Sequence, residues 1–506
     1  MMHLEKLSAM QIGELVNKKI LSPVEVVNYF ISRAQIFNPS VNAFVYMKED
    51  QAISRAKDME NKIMTGQNVG PLAGVPVALK DFLPSKKGWT HSYGGVKVFK
   101  DCIDEYDSEF TKAAEGMGAI VIGKTNAPSF GFRGVTDNYM YGPTSTPFNT
   151  AYNSGGSSGG SAAAVGAGFV PVAEAGDAGG SIRIPAAWCG TFGFKPSAGL
   201  VPSVCRPDAW TATHPYCCGG PVSRTVDDAA LMISAMQHYD RRDPLSVPLP
   251  ETDYTLAKTV NGGSLKGMKI ACTYDFDLFP APDLQIAKAV DKAVEILSHE
   301  GAVVAPPTFH FKYSKNTYED AWLTGICIDT ALDMEKIYKP AGIDLEKDHK
   351  DQLPEEFFKW NEVARNATML NYRLFHEVRT DILDAHEDIF DRFDIIIAPV
   401  TGCMPVKNEN KYHDGLVAGP QFINSVEVDP LIGFGYTYLE NMIGTPAASV
   451  PIAVGEKNLP IGLQIIAPRY RDFDVFRVAY ALERVNPWAH KYPFDDKEVW
   501  YGVATN

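Results

Sequence analysis

Residues 154–183 combine serines, glycines and charged side chains in a pattern that could carry out chemistry. They read SGGSSGGSAAAVGAGFVPVAEAGDAGGSIR. A flexible Gly/Ser linker does not fit, because linkers do not run directly into an apolar helix-and-strand pattern such as Ala162–Val172. A phosphate-binding loop does not fit either. No lysine follows the glycines, as a P-loop requires, and Gly166-Ala167-Gly168 lacks the third glycine of a dinucleotide fingerprint.

A serine nucleophile beside an oxyanion hole is the interpretation that remains for this segment. The backbone N–H groups of Ala178, Gly179, Gly180 and Ser181 can converge on one developing negative charge, and Ser181 stands at the end of that run. A serine hydroxyl needs a base to become a good nucleophile. No histidine lies near this segment in the sequence, although a distant one could be close in space. The segment alone therefore leaves the base open.

Five motifs in order resemble the amidase signature family. The longest runs from GGSSGGS at 155–161 to GFKP at 193–196. The other four are GVPVALKD at 74–81, GKTN at 123–126, PVSRTVDDA at 221–229, and GTPAASVP at 444–451 with GLQ at 462–464. The resemblance covers residues from about 15 to 485, so it concerns most of the chain.

The resemblance implies a catalytic triad of Lys80, Ser157 and Ser181. Lys80 corresponds to the base of the family, Ser157 to a bridging serine that follows a cis peptide, and Ser181 to the nucleophile. Lysine accepts a proton only when it is neutral, so burial must lower its pKa to roughly 7–8. Lys80 would then deprotonate Ser157, and Ser157 would deprotonate Ser181 as it attacks the amide carbonyl. A serine acyl-enzyme would follow, without a metal or cofactor.

Several neighbours are expected to support this triad. Ser158 and Asp177 are interpreted as supporting residues, with Asp177 as a carboxylate that fixes the loop and Arg183 as its partner. The family usually has Gly-Thr-Asp-Thr where this chain has AGDA at 175–178, which predicts a looser loop. Cys217 and Cys218 are interpreted as packed thiols and not as nucleophiles.

Aromatic side chains suggest an apolar or aromatic substrate pocket. The predicted pocket residues are Phe132, Tyr141, Trp188, Trp322 and Cys327. Cys327 ends the segment LTGIC at 323–327, which is similar to a Leu-Thr-x-Cys segment of family members that act on nylon-type cyclic oligomers.

Short apolar strands alternate with amphipathic helices, which predicts an α/β protein with a covered sheet. Strands are predicted at 41–46, 74–79, 119–122, 268–272, 302–304 and 394–398, and helices at 22–36, 49–63, 108–117 and 284–297. The resemblance implies one α/β/α domain over residues 1–506, with a large mixed sheet that helices cover on both faces. Its signature core is expected at about 70–200. Residues 305–425 are predicted to be a less regular, variable insertion on the substrate side.

Composition excludes several classes of protein. The formal net charge of −14 disfavours binding to nucleic acid. The N-terminus lacks the apolar run of a signal peptide, and no apolar stretch of about 18 residues predicts a membrane span. The eight cysteines include no C-x-x-C pair and the eleven histidines no H-E-x-x-H, so neither a disulfide framework nor a metal site is expected. Cytoplasmic location, a small-molecule partner and a homodimer are the matching expectations.

The function predicted here is hydrolysis of the C–N bond of small acyl amides by a stand-alone amidase. The alternative is the glutamine-hydrolysing amidase subunit of an aminoacyl-tRNA amidotransferase, which would pass ammonia to a partner protein. The segment PYCCGG at 215–220 differs from the Leu-Asp-x-x-Gly-Pro-like segment expected in that enzyme. An inactive scaffold is a third possibility, disfavoured because Lys80, Ser157 and Ser181 are all present.

Overall fold

A mixed sheet of eleven strands forms the centre of the protein in a computed structural model that describes residues 3–83 and 85–494. The predicted domain bounds of 1 and 506 lie outside the described residues. The strands are β1 (Phe44–Met47), β2 (Pro76–Lys80), β3 (Ile120–Thr125), β4 (Val172–Asp177), β5 (Phe192–Lys195), β6 (Cys218–Ser223), β7 (Lys269–Cys272), β8 (Val303–Ala305), β9 (Ile395–Pro399), β10 (Ala447–Val454) and β11 (Pro460–Ile466). Their order across the sheet is β1-β3-β2-β4-β6-β5-β10-β11-β9-β7-β8.

The sheet contains two groups of parallel strands, which are separated by antiparallel pairs. Strand β2 is parallel to both β3 and β4, and β7 is parallel to β8 and β9. The strands between these two blocks pair antiparallel, as does the edge strand β1 with β3. Because β2 and β4 are parallel neighbours, their carboxyl ends meet at the same edge of the sheet.

Helices cover both faces of the sheet, as the fold prediction required. The α-helices of the described residues are α1 (Ala9–Asn17), α2 (Pro23–Val41), α3 (Glu49–Met64), α4 (Glu109–Gly116), α5 (Gly159–Gly166), α6 (Arg183–Trp188), α7 (Val226–Met236), α8 (Leu284–His299), α9 (Lys315–Asp333), α10 (Leu345–Asp348), α11 (Glu355–Asn366), α12 (Met369–Phe390), α13 (Tyr438–Ile443) and α14 (Asp472–Val485). None of them is long and apolar enough to cross a membrane.

The alternation of side chains along β2 shows how the two faces are buried. Val77 and Leu79 pack into a core with residues of α1, α7, α8 and α14. Ala78 points the other way, into a core with residues of α3 and α5. A strand that is buried on both faces is apolar along its length, and the exception in β2 is Lys80, its last residue.

Residues 305–425, the predicted variable insertion, contain the helices α9, α11 and α12, so this region is more regular than expected. The signal was present in the sequence. Tyr318 and Trp322 follow a helical spacing on α9, and Ser314 caps that helix by accepting a hydrogen bond from the N–H of Thr317. The helix α2 also runs beyond its predicted end, through Pro39 to Val41, because proline in the last turn removes only one backbone donor.

Candidate active site

Lys80 lies at the carboxyl end of β2, next to the end of β4, and its side chain reaches Ser157. Its Nζ lies 2.7 Å from Ser157 Oγ, and both side chains are buried. The peptide bond between Gly156 and Ser157 is cis, as the family resemblance predicted. The Lys80 Nζ also lies 5.0 Å from the ring centroid of Phe82. The structure therefore brings the predicted base and the predicted bridging serine into hydrogen-bond contact.

Burial lowers the pKa of Lys80 to about 8, while the Cys217 thiol and the Asp177 and Glu174 carboxyls act in the opposite direction. An ammonium group is poorly solvated in an apolar interior, so the neutral amine is favoured there. A lysine with this pKa is neutral in an appreciable fraction of molecules at neutral to slightly alkaline pH. Lys80 can therefore act as a proton acceptor, which an ordinary surface lysine cannot.

Ser181 lies in the loop between β4 and α6 and lines the same cavity as Ser157 and Lys80. Among the described residues, no direct hydrogen bond joins its hydroxyl to that of Ser157. Ser158 fixes the backbone here, since its N–H donates to the Ser181 carbonyl at 3.1 Å. The Ser158 hydroxyl lies 3.3 Å from both the N and the O of Gly176. Ser158 thus ties the loop of Ser157 to the loop of Ser181.

Five consecutive carbonyl groups, those of residues 177–181, each accept a hydrogen bond. The donors are Asn441 Nδ2 to Asp177 (2.9 Å), Trp322 Nε1 to Ala178 (2.8 Å), Thr437 Oγ1 to Gly179 (2.6 Å), Ile184 N to Gly180 (2.8 Å) and Ser158 N to Ser181 (3.1 Å). In a trans peptide the N–H points opposite to the carbonyl. Fixing the five carbonyl groups therefore also fixes the directions of the following N–H groups.

One of the predicted oxyanion donors already forms a hydrogen bond within the protein. The N–H of Gly180 donates to Asp177 Oδ1 at 2.7 Å, so it does not point freely into the cavity. In the part of the chain that the structure describes, the N–H groups of Ala178, Gly179 and Ser181 have no protein acceptor. The geometry therefore corrects the prediction of Gly180 and leaves Ala178, Gly179 and Ser181 as candidate donors.

The two glycines of this loop are required by close contacts. Gly180 has a φ of +127°, and a Cβ there would lie 2.0 Å from Thr437 Oγ1. A Cβ on Gly179 would lie 2.6 Å from Cζ2 of Trp322. Both distances are far below a van der Waals contact, so only glycine lets Thr437 and Trp322 approach the carbonyl groups they bind.

The carboxylate of Asp177 organises the loop from inside the protein. It accepts hydrogen bonds from the N–H groups of Gly180 and Ile182 and from Arg183 Nε and Nη2, at 2.7–3.1 Å. Burial opposes ionisation of Asp177, but the Arg183 guanidinium and these hydrogen bonds hold its pKa well below the usual range. The predicted pairing of Arg183 with a carboxylate is confirmed, and Arg183 also bonds Glu440 at 3.0 Å.

Lys80, Ser157 and Ser181 line an open cavity of about 740 Å³, its mouth included. Of the predicted pocket residues, Phe132 and Trp322 line it. The aromatic and aliphatic lining that the sequence analysis missed consists of Phe82, Leu83, Phe130, Ile184, Ile326, Ile432 and Tyr438. Ile326 follows Trp322 by four residues on α9, so helical spacing could have identified it.

The other three predicted pocket residues lie elsewhere. Trp188 is buried, stacks on Phe434 with ring centroids 5.4 Å apart, and does not reach the cavity. Cys327 is buried on the side of α9 that packs against α11. Tyr141 belongs to a turn, where its backbone N–H donates to Asn138 Oδ1 at 2.7 Å. Tyr141, Trp188 and Cys327 serve packing or turn geometry, and contrary to the prediction they do not line this cavity.

The charged side chains that line the cavity besides Lys80 are already paired. Arg133 forms ion pairs with Asp414 and, at 3.6 Å, with Glu356, and it donates to the Val417 carbonyl at 3.0 Å. Asp177 is held by Arg183. Within the described lining, no charged group is left to bind a charged part of a substrate. The cavity is suited to a neutral, apolar molecule.

The described residues contain no group of three or more His, Cys, Asp or Glu side chains placed to hold a metal ion. Cys217 lines the cavity, and burial raises the pKa of its thiol to about 12. Cys218 is buried, and burial raises its pKa as well. Protonated thiols are weak nucleophiles, which agrees with the interpretation of both residues as packed thiols.

Comparisons with known proteins identify one family. The family model "Amidase" matches residues 25–476. The structure resembles that of a bacterial aryl acylamidase of the amidase signature enzymes, with a TM-score of 0.92 and 40% identity over 96% of this chain and 98% of that one. An acylamidase of Rhodococcus erythropolis is 31% identical over 97% of this chain and 98% of its own length. One of the subunits of the glutamyl-tRNA(Gln) amidotransferase of Microcystis aeruginosa is also 31% identical, over 95% of this chain and 97% of its own.

Proposed function

This chain belongs to the amidase signature family of C–N hydrolases, and from that premise we propose that it hydrolyses small, neutral acyl amides through Lys80, Ser157 and Ser181. The observation that carries the proposal is the 2.7 Å contact between Lys80 Nζ and Ser157 Oγ at the base of an apolar cavity that Ser181 also lines. A neutral lysine in contact with a serine supplies the base that the sequence of the nucleophile loop lacks.

In the proposed acylation step, neutral Lys80 accepts the proton of the Ser157 hydroxyl. Ser157 accepts the proton of Ser181 as the Ser181 oxygen forms a bond to the amide carbon. The carbonyl oxygen becomes an oxyanion, which the N–H groups of Ala178, Gly179 and Ser181 stabilise. Collapse of the tetrahedral intermediate breaks the C–N bond, and the leaving amine takes its proton from Ser157, which regains one from Lys80.

Deacylation repeats the same steps with water in place of Ser181. Water attacks the ester carbonyl of the acyl-enzyme and transfers a proton through Ser157 to Lys80. The same N–H groups hold the second oxyanion. When the C–O bond to Ser181 breaks, the proton returns to the serine oxygen, and the carboxylic acid leaves. Each half-reaction begins and ends with neutral Lys80, so the cycle balances.

The shape and charge of the cavity support an aromatic amide as the substrate. Phe82, Phe130, Phe132, Trp322 and Tyr438 supply flat apolar walls, against which an aryl group can stack. The likeness to a bacterial aryl acylamidase favours the same class. We therefore infer an anilide or a related aryl acylamide as the preferred substrate.

The second candidate is a glutamine-hydrolysing role within an amidotransferase, because a protein from such an enzyme is equally similar in sequence. Free glutamine carries an ammonium and a carboxylate, and burying either without a partner is costly. The charged residues Arg133 and Asp177 in the lining are already paired. This observation favours the neutral amide over glutamine.

The experiment is a direct comparison of the two substrate classes with the purified chain alone. Hydrolysis of acetanilide-type substrates is followed by release of aniline, and hydrolysis of glutamine by release of ammonia. The proposal predicts turnover of the anilides, little of glutamine, and an acyl-enzyme mass adduct on Ser181. Efficient glutaminase activity without anilide turnover would support the amidotransferase role instead.

A further inference from the structure

Glu174 lies beside the base, on the neighbouring strand β4. In the described part of the sheet, the ladder between β2 and β4 pairs Val77 with Val172 and Ala78 with Ala173 and goes no further. The next backbone donor on β2 that faces β4 is the N–H of Lys80. It donates to Glu174 Oε2 at 3.3 Å. The carboxylate thus replaces a ladder hydrogen bond at the point where the two strands stop pairing.

The other oxygen of Glu174 is held as well. Glu174 Oε1 accepts a hydrogen bond from the hydroxyl of Ser108, which caps the amino end of α4. The carboxylate is therefore anchored on one side by a helix cap and on the other by the Lys80 backbone. A side chain fixed at both oxygens has little freedom to move, so its charge stays at a constant position relative to Lys80.

Charged and titratable groups surround the pair on several elements. The groups that act on Lys80 are the Cys217 thiol, the Asp177 carboxylate and Glu174. Burial raises the pKa of Glu174 to about 7, against the hydrogen bond from Ser108 and the charge of Lys124, while Asp104 adds to the rise. Glu174 is therefore mostly ionised in the alkaline range, where Lys80 loses its proton, and its negative charge favours the protonated lysine.

We propose that Glu174 is a positioning residue for the base of this enzyme: its carboxylate holds the Lys80 backbone, and its charge acts on the Lys80 ammonium. The inference rests on the proposed function for its consequence in catalysis. A lysine with too low a pKa would not take the proton of Ser157, and burial alone lowers the pKa of Lys80. Glu174 offsets part of that effect and keeps Lys80 basic enough to be protonated during each half-reaction.

Glu174→Gln separates the two roles. The amide oxygen of glutamine still accepts the Lys80 N–H, but the negative charge is gone. Titration of Lys80 is followed by NMR of protein labelled at the lysine Cε, and the signal is assigned by its loss in Lys80→Ala. The expected result is that E174Q lowers the pKa of Lys80 by about half a unit to one unit. An unchanged pKa of Lys80 would overturn the proposal.

Glu109→Gln is the matched control. Glu109 follows Ser108 on α4 and forms an ion pair with Lys112, and it does not act on Lys80. This variant removes a charge of the same sign from a neighbouring position without touching β2. It is expected to leave the pKa of Lys80 unchanged. A shift as large as that of E174Q would show that any lost charge suffices, and would contradict a specific role of Glu174.

The pH profile of kcat/KM on an anilide distinguishes this inference from the proposed function. If Glu174 acts as inferred and Lys80 is the base, the rising limb of the profile moves to lower pH in E174Q. It moves by the same amount as the pKa of Lys80 measured by NMR. If the NMR pKa moves and the kinetic limb does not, Glu174 acts on Lys80 as proposed but Lys80 is not the base. A failure of the inference about Glu174 and a failure of the proposed function therefore give different results.

Ser108→Ala is the second variant, in case E174Q does not fold. It removes the hydroxyl that lowers the pKa of Glu174, so Glu174 carries its negative charge in a smaller fraction of molecules near pH 7–8. The pKa of Lys80 should fall in the same direction as in E174Q, by a smaller amount. No fall in either variant would overturn the proposal.

Discussion

Trp322 Nε1 donates a hydrogen bond to the carbonyl oxygen of Ala178, with 2.8 Å between the two atoms, although the residues are 144 positions apart in sequence. The bond joins helix α9 to the loop that carries Ser181. Because Ala178 C=O points at Trp322, the following N–H of Gly179 points the opposite way. Trp322 is therefore both a wall of the cavity and a residue that positions a candidate oxyanion donor.

Trp322→Phe is expected to lower kcat on an anilide by about 3- to 10-fold, with a smaller effect on KM. Phenylalanine keeps an aromatic wall but cannot donate to Ala178, and a lost hydrogen bond of this kind is worth about 0.5–1.5 kcal/mol. Steady-state kinetics provide the measurement. Trp89→Phe is the control, because Trp89 is buried and its Nε1 has no partner among the described residues. A change in KM alone would contradict a positioning role.

Ser181→Ala is expected to abolish formation of an acyl-enzyme and to lower kcat by at least about 10³-fold, as in other serine hydrolases. Intact-protein mass spectrometry after mixing with substrate would show the adduct in the wild type and its absence in the variant. A fluorophosphonate should label the wild type at Ser181. Ser298→Ala, an exposed serine on α8, serves as the control and should behave as wild type. Labelling of Cys217 with activity retained in S181A would contradict the assignment.

Asp177→Asn is expected to destabilise the protein by about 3–5 kcal/mol, because it leaves the buried Arg183 guanidinium with less compensating charge. The free energy of unfolding is measured by denaturant titration. Asp101→Asn breaks the exposed pair with Lys100 and should change stability little. An equal and small effect of both substitutions would contradict the structural role of Asp177.

The stability difference between the wild type and Asp177→Asn should depend on pH, because the pKa of Asp177 is lowered in the folded protein. A carboxyl whose pKa is depressed in the folded state contributes stability above its unfolded value, about 3.9, and loses it as the pH falls towards the folded value. The difference in unfolding free energy between wild type and D177N should therefore be constant from about pH 5 to 8. It should shrink only below about pH 4.

Short motifs carried much of the prediction. The roles predicted for Lys80, Ser157 and Ser181 rest on the resemblance of five short motifs to the amidase signature family, and the alternation of strands and helices predicts the α/β fold that the structure has. A motif can be recognised without a structure because its residues are adjacent in the chain, as Gly156 and Ser157 are.

The parts that the sequence analysis missed depend on distant contacts. The carbonyl of Asp177 is held by Asn441, 264 residues away, and the N–H of Gly180 is taken by a carboxylate that a motif cannot orient. Trp188 and Cys327 have large or apolar side chains, which can pack in a hydrophobic core as well as line a pocket. Which of these roles they take is decided by the packing of helices far apart in the chain.

Lys80 is the residue on which the proposed chemistry depends most directly. Since burial lowers its pKa to about 8, the protonated form dominates at lower pH and cannot accept a proton. The rate should therefore rise with pH through the neutral to alkaline range. Lys80→Ala should remove that limb and lower kcat/KM by at least about 10²-fold. Lys80→Arg should not restore activity, because a guanidinium stays protonated at any working pH.

The most direct test is kcat/KM on one anilide across about pH 5–10 for the wild type, Lys80→Ala and Lys80→Arg. The account predicts a single limb that rises near pH 8 in the wild type, and low, pH-insensitive rates in both variants. A base formed by a histidine would give a limb near about pH 6.5 that persists in Lys80→Ala. That limb, or near-wild-type activity in Lys80→Arg, would contradict the role of Lys80 as the base.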